Sequence, residues 1–368
     1  GGVGLAPVDG VDRHEGRVLL VPVKLVRQFG LRKGDVVAGP SRPANRNEKN
    51  PALMSVDTVN GGEPDAATSR PEFDDLVPVH PTERLTLERG DGDDAAGRLV
   101  DLVAPIGKGA RGLVVAPPRS GKSTVMQQII RSAQANHEGV YLMVLLIDER
   151  PEEITAMTRA LGDADGEVVG SQFDRPTDEH IHIADLAIER AKRLVEDGRD
   201  VVVIVDGITR LARAYLTEAP QSNKTLPGGL DATAMLGPKQ FFAAARNVED
   251  AGSLTILATA SAETGNATDE AILTELALAA NLELHLDRGL AERRAYPAID
   301  VAGSSTRHED ALLAADSLAQ VATLRGFVAD LAETRGLAAA HAELLEKLGA
   351  TKTNDEFLRE VAKSASAS

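Results

Sequence analysis

The sequence predicts an α/β fold: a small β unit, then a mainly parallel sheet with helices between its strands, then a helical C-terminal stretch. Three observations carry this. Apolar runs at 113–116, 141–147, 168–170, 201–205, 254–258 and 282–286 are nearly continuous rather than alternating, as in strands covered on both faces. Helical patterns fall between them, notably over 179–197 and 238–249. From 309 to 361 the spacing of apolar residues is helical throughout.

Before the sheet, residues 17–60 read as small β structure. The runs 17–23, 35–39 and 51–59 are strand-like, and 23–29 forms one helical turn ahead of the turn signal Leu31-Arg-Lys-Gly-Asp. Residues 61–71 read as a linker, and the terminal Ser-Ala-Ser-Ala-Ser as disordered. These shifts divide the chain into a β domain at 1–62, a connector at 63–98, the sheet at 99–308 and C-terminal helices at 309–368. No internal repeat is evident.

At 368 residues with 43% apolar content, the chain can bury a core in each of two domains. No window approaches the roughly 20 apolar residues of a membrane span. The start, Gly-Gly-Val-Gly, shows no signal peptide and no initiator Met, as in a fragment. The absence of Cys rules out disulfides and thiolate metal sites and suits a reducing cytoplasm. The eight His show no metal-ligand spacing. A net charge of −16 opposes broad contact with nucleic acid. The charge is uneven, however: residues 1–70 carry ten Lys and Arg against eight Asp and Glu. Any nucleic-acid contact must therefore be local, on a basic face or in a pore lined by loops.

The chemistry concentrates at Ala116-Pro-Pro-Arg-Ser-Gly-Lys-Ser-Thr124, between an apolar strand and a helix. Strand, tight turn and a helix opening on Gly-Lys-Ser form a P-loop. Backbone N–H groups grip phosphate, Lys122 reaches the β/γ oxygens of ATP, and Ser123 offers its hydroxyl to Mg²⁺. The strict pattern wants Gly where Ala116 stands, and a Gly-Lys-Ser also begins many ordinary helices. Val201-Val-Val-Ile-Val-Asp206 is an apolar strand ending in a carboxylate, the pattern that holds Mg²⁺, although an acidic cap on a buried strand reads the same way. Leu145-Leu-Ile-Asp-Glu-Arg-Pro-Glu-Glu puts Glu149 at the carboxyl end of a strand, where ligands bind in an open parallel sheet and where a carboxylate can polarise water. Four acidic residues lie within 148–153, so Glu152 and Glu153 read as solvated loop carboxylates.

Taken together, these segments closely resemble the Rho family of bacterial transcription termination factors. The likeness extends through Asp206-Gly-Ile-Thr-Arg-Leu-Ala-Arg-Ala-Tyr, Lys239-Gln-Phe-Phe-Ala-Ala-Ala-Arg-Asn-Val-Glu, Gly252-Ser-Leu-Thr-Ile, Tyr296-Pro-Ala-Ile-Asp and Thr351-Lys-Thr-Asn-Asp-Glu-Phe. It runs collinearly from about Val18 to Phe357, and Ala116 is the family's own form of the loop. The segments Asp148-Glu-Arg-Pro-Glu-Glu and Lys352-Thr-Asn-Asp-Glu-Phe argue against a rotary-ATPase subunit of similar core fold.

The resemblance implies a RecA-like core behind a partial OB/cold-shock-like barrel, assembled as a homohexamer whose pore holds single-stranded RNA and which works on RNA polymerase. Gly107, Lys108, Gly109, Ala110, Arg111 and Gly112 resemble the nucleotide-flanking loop. Arg119, Ser120, Gly121, Lys122, Ser123 and Thr124 would wrap the phosphates. Glu149 would be the catalytic base, Arg150 a nucleotide contact, Asp206 the Mg²⁺-side carboxylate and Arg210 the γ-phosphate sensor. Arg307 matches an arginine finger supplied by the adjacent subunit, and Tyr296 an aromatic that stacks on adenine. In the pore, Leu226, Gly228 and Gly229 match the first RNA loop and Ala267 falls in the second.

Both RNA sites depart from the family pattern. Residues 1–72 hold one aromatic, Phe29, in a stretch that reads as core, and the barrel's first strands find no counterpart before Arg17. Base stacking is worth about 1–3 kcal/mol per base, so either the chain is truncated or the primary site has decayed. In the pore, Pro227 stands for Thr, Ala267 for Lys, and Ala277-Leu-Ala-Ala280 for Lys-Gly-Thr-Gly. Two readings follow: an RNA-dependent ATPase and helicase that releases transcripts, or a paralogue that keeps ring and ATPase but acts through protein contacts.

Overall fold

The computed structural model describes residues 2–6, 11–14, 17–46, 48–90, 94–220, 222 and 224–366. Its central sheet runs in the order Gly166–Gln172, Tyr141–Glu149, Asp200–Asp206, Ser253–Ser261, Arg111–Ala116, Leu282–His285, Ser305–Thr306. All six expected strands are present, and the pairings between them are parallel. The continuous apolar runs are explained by two cores. Leu142, Val144 and Leu146 face one core with Met126, Ile129 and Ile130, while Met143, Leu145 and Ile147 face the other with Ala187, Ala191 and Leu194.

The expected helix over 238–249 is corrected. The helix spans Leu236–Ala243, and Arg246–Val248 is a strand antiparallel to Ser253–Ser261. The turn between them, Glu249-Asp-Ala-Gly252, carries Asp250 at φ 56°, so the hairpin's turn residues outweigh the helical pattern. Strand Pro78–Val79 pairs with Arg246–Val248, so the connector adds an edge to the sheet rather than tethering it. The expected boundary after 98 falls inside helix Ala95–Val103.

Before Arg17 the structure holds two strands, Gly2–Ala6 and Val11–His14, where none was expected. Gly2–Ala6 pairs antiparallel with Asp35–Gly39, and Val11–His14 with Arg17–Leu20. Two Gly in five residues give the first a weak strand propensity, which pairing overrides. Phe29 is half-buried against the small core of Val21, Leu31, Val37, Leu53 and Val59, as its setting predicted.

This unit is bolted to helix Thr177–Glu196. Arg32 meets Glu196 at 2.8 Å, and the same carboxylate accepts from the Phe73 backbone N–H at 2.8 Å. Arg70 pairs with Asp35 at 2.8 Å. At the other end of the chain, the expected C-terminal helices are Ala315–Arg335, Leu337–Gly349 and Asn354–Ser366. The last helix covers Ser364 to Ser366 of the tail expected to be disordered, and the remaining two residues lie outside the described ones. Buried Arg98 donates to the carbonyls of Leu348, Thr351 and Thr353 and to Asn354 Oδ1. The Thr-Lys-Thr-Asn motif is therefore a clamp on the core.

Candidate nucleotide site

At the carboxyl edge of the sheet, strand Arg111–Ala116 ends in the loop that opens helix Lys122–Asn136. Gly121 caps that helix at φ 90°, and a Cβ there would come within 3.0 Å of the Tyr296 ring, so only Gly fits both the turn and the neighbour. No side chain caps the helix and no acidic residue sits in its first turn. Its free N–H groups and positive dipole end therefore face a cavity of about 710 Å³ lined by Arg119 through Thr124, Thr259, Ser261 and Tyr296. Ser120 is buried, and its Oγ has no partner among the described residues. A buried unpaired hydroxyl in this loop fits a phosphate acceptor.

The carboxylates converge on the same place. Asp206 ends the strand two places away, and Lys122 Nζ lies 2.5 Å from its Oδ1. Thr259, on the intervening strand, donates to that oxygen at 2.9 Å. Arg210, one helical turn after Asp206, reaches Asp206 Oδ1 at 3.0 Å, pairs with Glu149 and donates to the Asp148 carbonyl at 3.0 Å. Burial pushes the Asp206 carboxyl up, but Lys122 and Arg210, with the Thr259 bond, more than offset it and hold it below the usual carboxylate range. Asp206 is thus an anion at neutral pH. Arg210 is likewise held protonated: burial opposes its charge, and Asp206 and Glu149 outweigh burial.

Of the residues expected here, Arg119, Ser120, Gly121, Lys122, Ser123, Thr124 and Tyr296 line the cavity, and Asp206, Arg210 and Glu149 join it as a chain of ion pairs that begins at Lys122. Arg150 is exposed beside Glu149. Sequence reasoning missed Thr259; the signal was a hydroxyl set four residues from Thr255 inside an apolar strand.

Gly107 to Gly112 do not reach this cavity of their own chain. They lead into the strand from its amino end, about 17 Å from the loop at 3.3 Å per residue. There Lys108 pairs with Asp200 at 2.8 Å and Arg111 donates to the Ala279 and Ala245 carbonyls at 2.8 and 3.1 Å. Arg307 lies at the same far end: its N–H donates to the Asn281 carbonyl, while Asn281 Oδ1 accepts from the Arg111 N–H. Arg307 therefore cannot serve the P-loop of its own chain.

The loop residues Leu226, Gly228 and Gly229 lie by the helix Ala267–Ala277; a Cβ on Gly228 would come 2.6 Å from the Ala271 Cβ. Ala267 opens that helix and Ala277 closes it, roughly 15 Å apart at 1.5 Å per residue. The reading that grouped both positions in one pore loop is corrected accordingly: a helix separates them. Ala277 to Ala280 sit beside Arg111, with the Ala279 carbonyl bonded to its guanidinium.

Comparison with known proteins agrees with this geometry. The model of the ATP synthase alpha/beta family nucleotide-binding domain matches residues 97–306, and that of the Rho termination factor RNA-binding domain matches residues 13–65. The latter match disfavours a barrel that has lost its family character. Transcription termination factor Rho of Pseudomonas fluorescens biotype C is 49% identical over 334 residues, 90% of this chain and 78% of its own length. That of Streptomyces lividans is 50% identical over 346 residues, 93% of this chain but 48% of its own length, so this chain spans about half of it. Among solved structures, an ATPase from the type III secretion system of pathogenic bacteria superposes with a TM-score of 0.63 at 21% identity, covering 79% of this chain and 87% of that one. An ATP synthase subunit from Nanoarcheaum equitans gives a TM-score of 0.64 at 17% identity, covering 78% of each chain. These two show the fold alone, a RecA-like P-loop core. Among the described residues, no helix is long and apolar enough to cross a membrane. By its P-loop core, its RNA-binding unit and its close relatives, the chain belongs to the Rho family of transcription termination factors.

Proposed function

We propose that this chain hydrolyses ATP within a six-membered ring of its own copies, and that turnover drives the ring along single-stranded RNA to release transcripts from RNA polymerase in the cytoplasm. The observation that carries the reading is the convergence of Lys122, Glu149, Asp206 and Arg210 on one P-loop cavity while Arg307 stands at the opposite end of the sheet. A head-to-tail ring brings those two ends together, so each site needs a neighbour.

Within the site, the N–H groups of the loop and first helical turn bind the phosphates, and Lys122 exchanges Asp206 for the β/γ oxygens. Ser123 and the ionised Asp206 offer a hydroxyl and a carboxylate, a donor set that fits Mg²⁺; the ion, when bound, neutralises charge on the phosphates. Glu149 accepts the proton of the attacking water, and Arg210 holds its carboxylate in place. Tyr296 covers the base, and Arg150 borders the site from its open side. Leu226, Gly228, Gly229 and Ala267 present the RNA loops, largely through backbone.

Strand displacement tests the motor. An RNA–DNA hybrid with a single-stranded RNA tail should be unwound with ATP and left intact by Lys122→Ala. Hydrolysis of ATP with no displacement on any tailed substrate would sink the translocase reading.

A further inference from the structure

Arg111, Arg246 and Arg307 come together at the amino end of the sheet. The Arg111 guanidinium bonds the Ala245 carbonyl, next to Arg246, and its backbone shares Asn281 with Arg307. Among the described residues, neither Arg246 nor Arg307 has a carboxylate partner. Arg246 instead lies 4.5 Å over the Phe73 ring, which is itself fixed through its backbone by Glu196. Arg111 and Arg246 border a cavity of about 500 Å³ lined also by His80, Gly109 and Asn281. Burial lowers the Arg111 pKa, and its neighbours Arg246 and Arg307 lower it further.

Three crowded guanidiniums in a chain of net charge −16 require an anion from outside the subunit. On the neighbouring copy, Lys122, Asp206, Arg210 and Glu149 are already paired with one another, two cations with two carboxylates. The negative charge added at that junction comes with the nucleotide, and the guanidinium fork matches phosphate. Resting on the ring reading above, we infer that Arg246 is a second trans-acting arginine, which reaches the triphosphate bound on the adjacent subunit beside Arg307, with Phe73 holding it in position.

The test mixes variants whose defects lie on opposite sides of one interface. Arg246→Gln and Glu149→Gln rings should each lose at least about tenfold in ATPase rate. Rings mixed from both should regain activity, because some interfaces then pair an intact Glu149 with an intact Arg246. Arg307→Ala mixed with Glu149→Gln is the control for the shared site. Recovery in the control but not with Arg246→Gln, subunit exchange being confirmed, would place Arg246's effect within its own subunit and overturn the inference. Undiminished turnover by Arg246→Gln rings also overturns it. No recovery in either mixture removes the shared site itself, and the inference with it. Phe73→Leu should lower kcat with assembly intact, and Arg246→Lys should restore part of the Arg246→Gln loss.

Discussion

Lys122 Nζ and Asp206 Oδ1 stand 2.5 Å apart across the strand that separates their elements, so the proposed phosphate-binding cation and the proposed metal-side carboxylate hold each other in place. Lys122→Ala therefore removes the phosphate cation and leaves Asp206 buried with Arg210 as its remaining cation. Hydrolysis should fall by at least about 100-fold, the scale of losing one preorganised charge-stabilising donor. Glu149→Gln should bind nucleotide nearly as the parent does and turn over about 10²–10⁴-fold more slowly, since only proton acceptance is lost. Fluorescent-nucleotide titration beside steady-state turnover separates the two; a Glu149→Gln variant at the parental rate removes Glu149 as the base.

The position of Arg307 at the far edge of the sheet gives a second prediction. Arg307→Ala should cost about 10³–10⁵ in kcat, the range for arginine fingers. Mixed in equal parts with Glu149→Gln, it should recover up to about a quarter of parental activity, since random head-to-tail pairing leaves one interface in four intact. Activity that stays at the level of the single variants, with exchange verified by mass, argues that Arg307 acts elsewhere.

The base pocket is propped from behind. His341 Nε2 donates to the Pro297 carbonyl at 2.9 Å, next to Tyr296, whose hydroxyl donates to the Ala291 carbonyl at 3.4 Å. Tyr296→Ala should raise KM for ATP about 5- to 160-fold, as stacking worth about 1–3 kcal/mol implies, and Tyr296→Phe should be close to neutral. Burial lowers the His341 pKa more than the Pro297 bond and Asp287 raise it. With its native value depressed, its stabilising contribution is whole above about pH 6.5, the unfolded value, and is lost as pH falls through the native one. His341→Gln, which can still donate to Pro297, should flatten the decline of urea midpoint between pH 7 and 5. An unchanged slope would show that other groups set it.

The P-loop, its partner carboxylates and every main strand were legible in the sequence because each rests on local pattern: a turn-helix signature, or an apolar run of strand length. What was not legible came from pairing at a distance. Strand Arg246–Val248 exists because a tight turn returns the chain onto Ser253–Ser261, and strand Gly2–Ala6 because Asp35–Gly39 offers it an edge. Thr259 and Arg246 gain their roles from neighbours more than fifty residues away, Asp206 and Phe73. The misplacement of Ala277 had the same origin: motif order put it with Ala267, and the helix between them carried it to the other end.

Ala267 is a proposed pore position where charge can be added away from the ATP site. It lies exposed at the start of its helix, on the side of Gly228. Ala267→Lys should steepen the salt dependence of RNA binding by about 0.7 log unit for each phosphate newly contacted. Filter binding at two salt concentrations reads this directly. A slope equal to the parent's would place residue 267 outside the RNA path.

The central claim, that nucleotide turnover at this site is coupled to RNA, is tested most directly by the ATPase rate of the assembled chain with and without poly(C) RNA. The rate should rise several-fold with RNA, saturate with RNA concentration and disappear in Lys122→Ala. A substantial rate that poly(C) leaves unchanged at every concentration would contradict that claim.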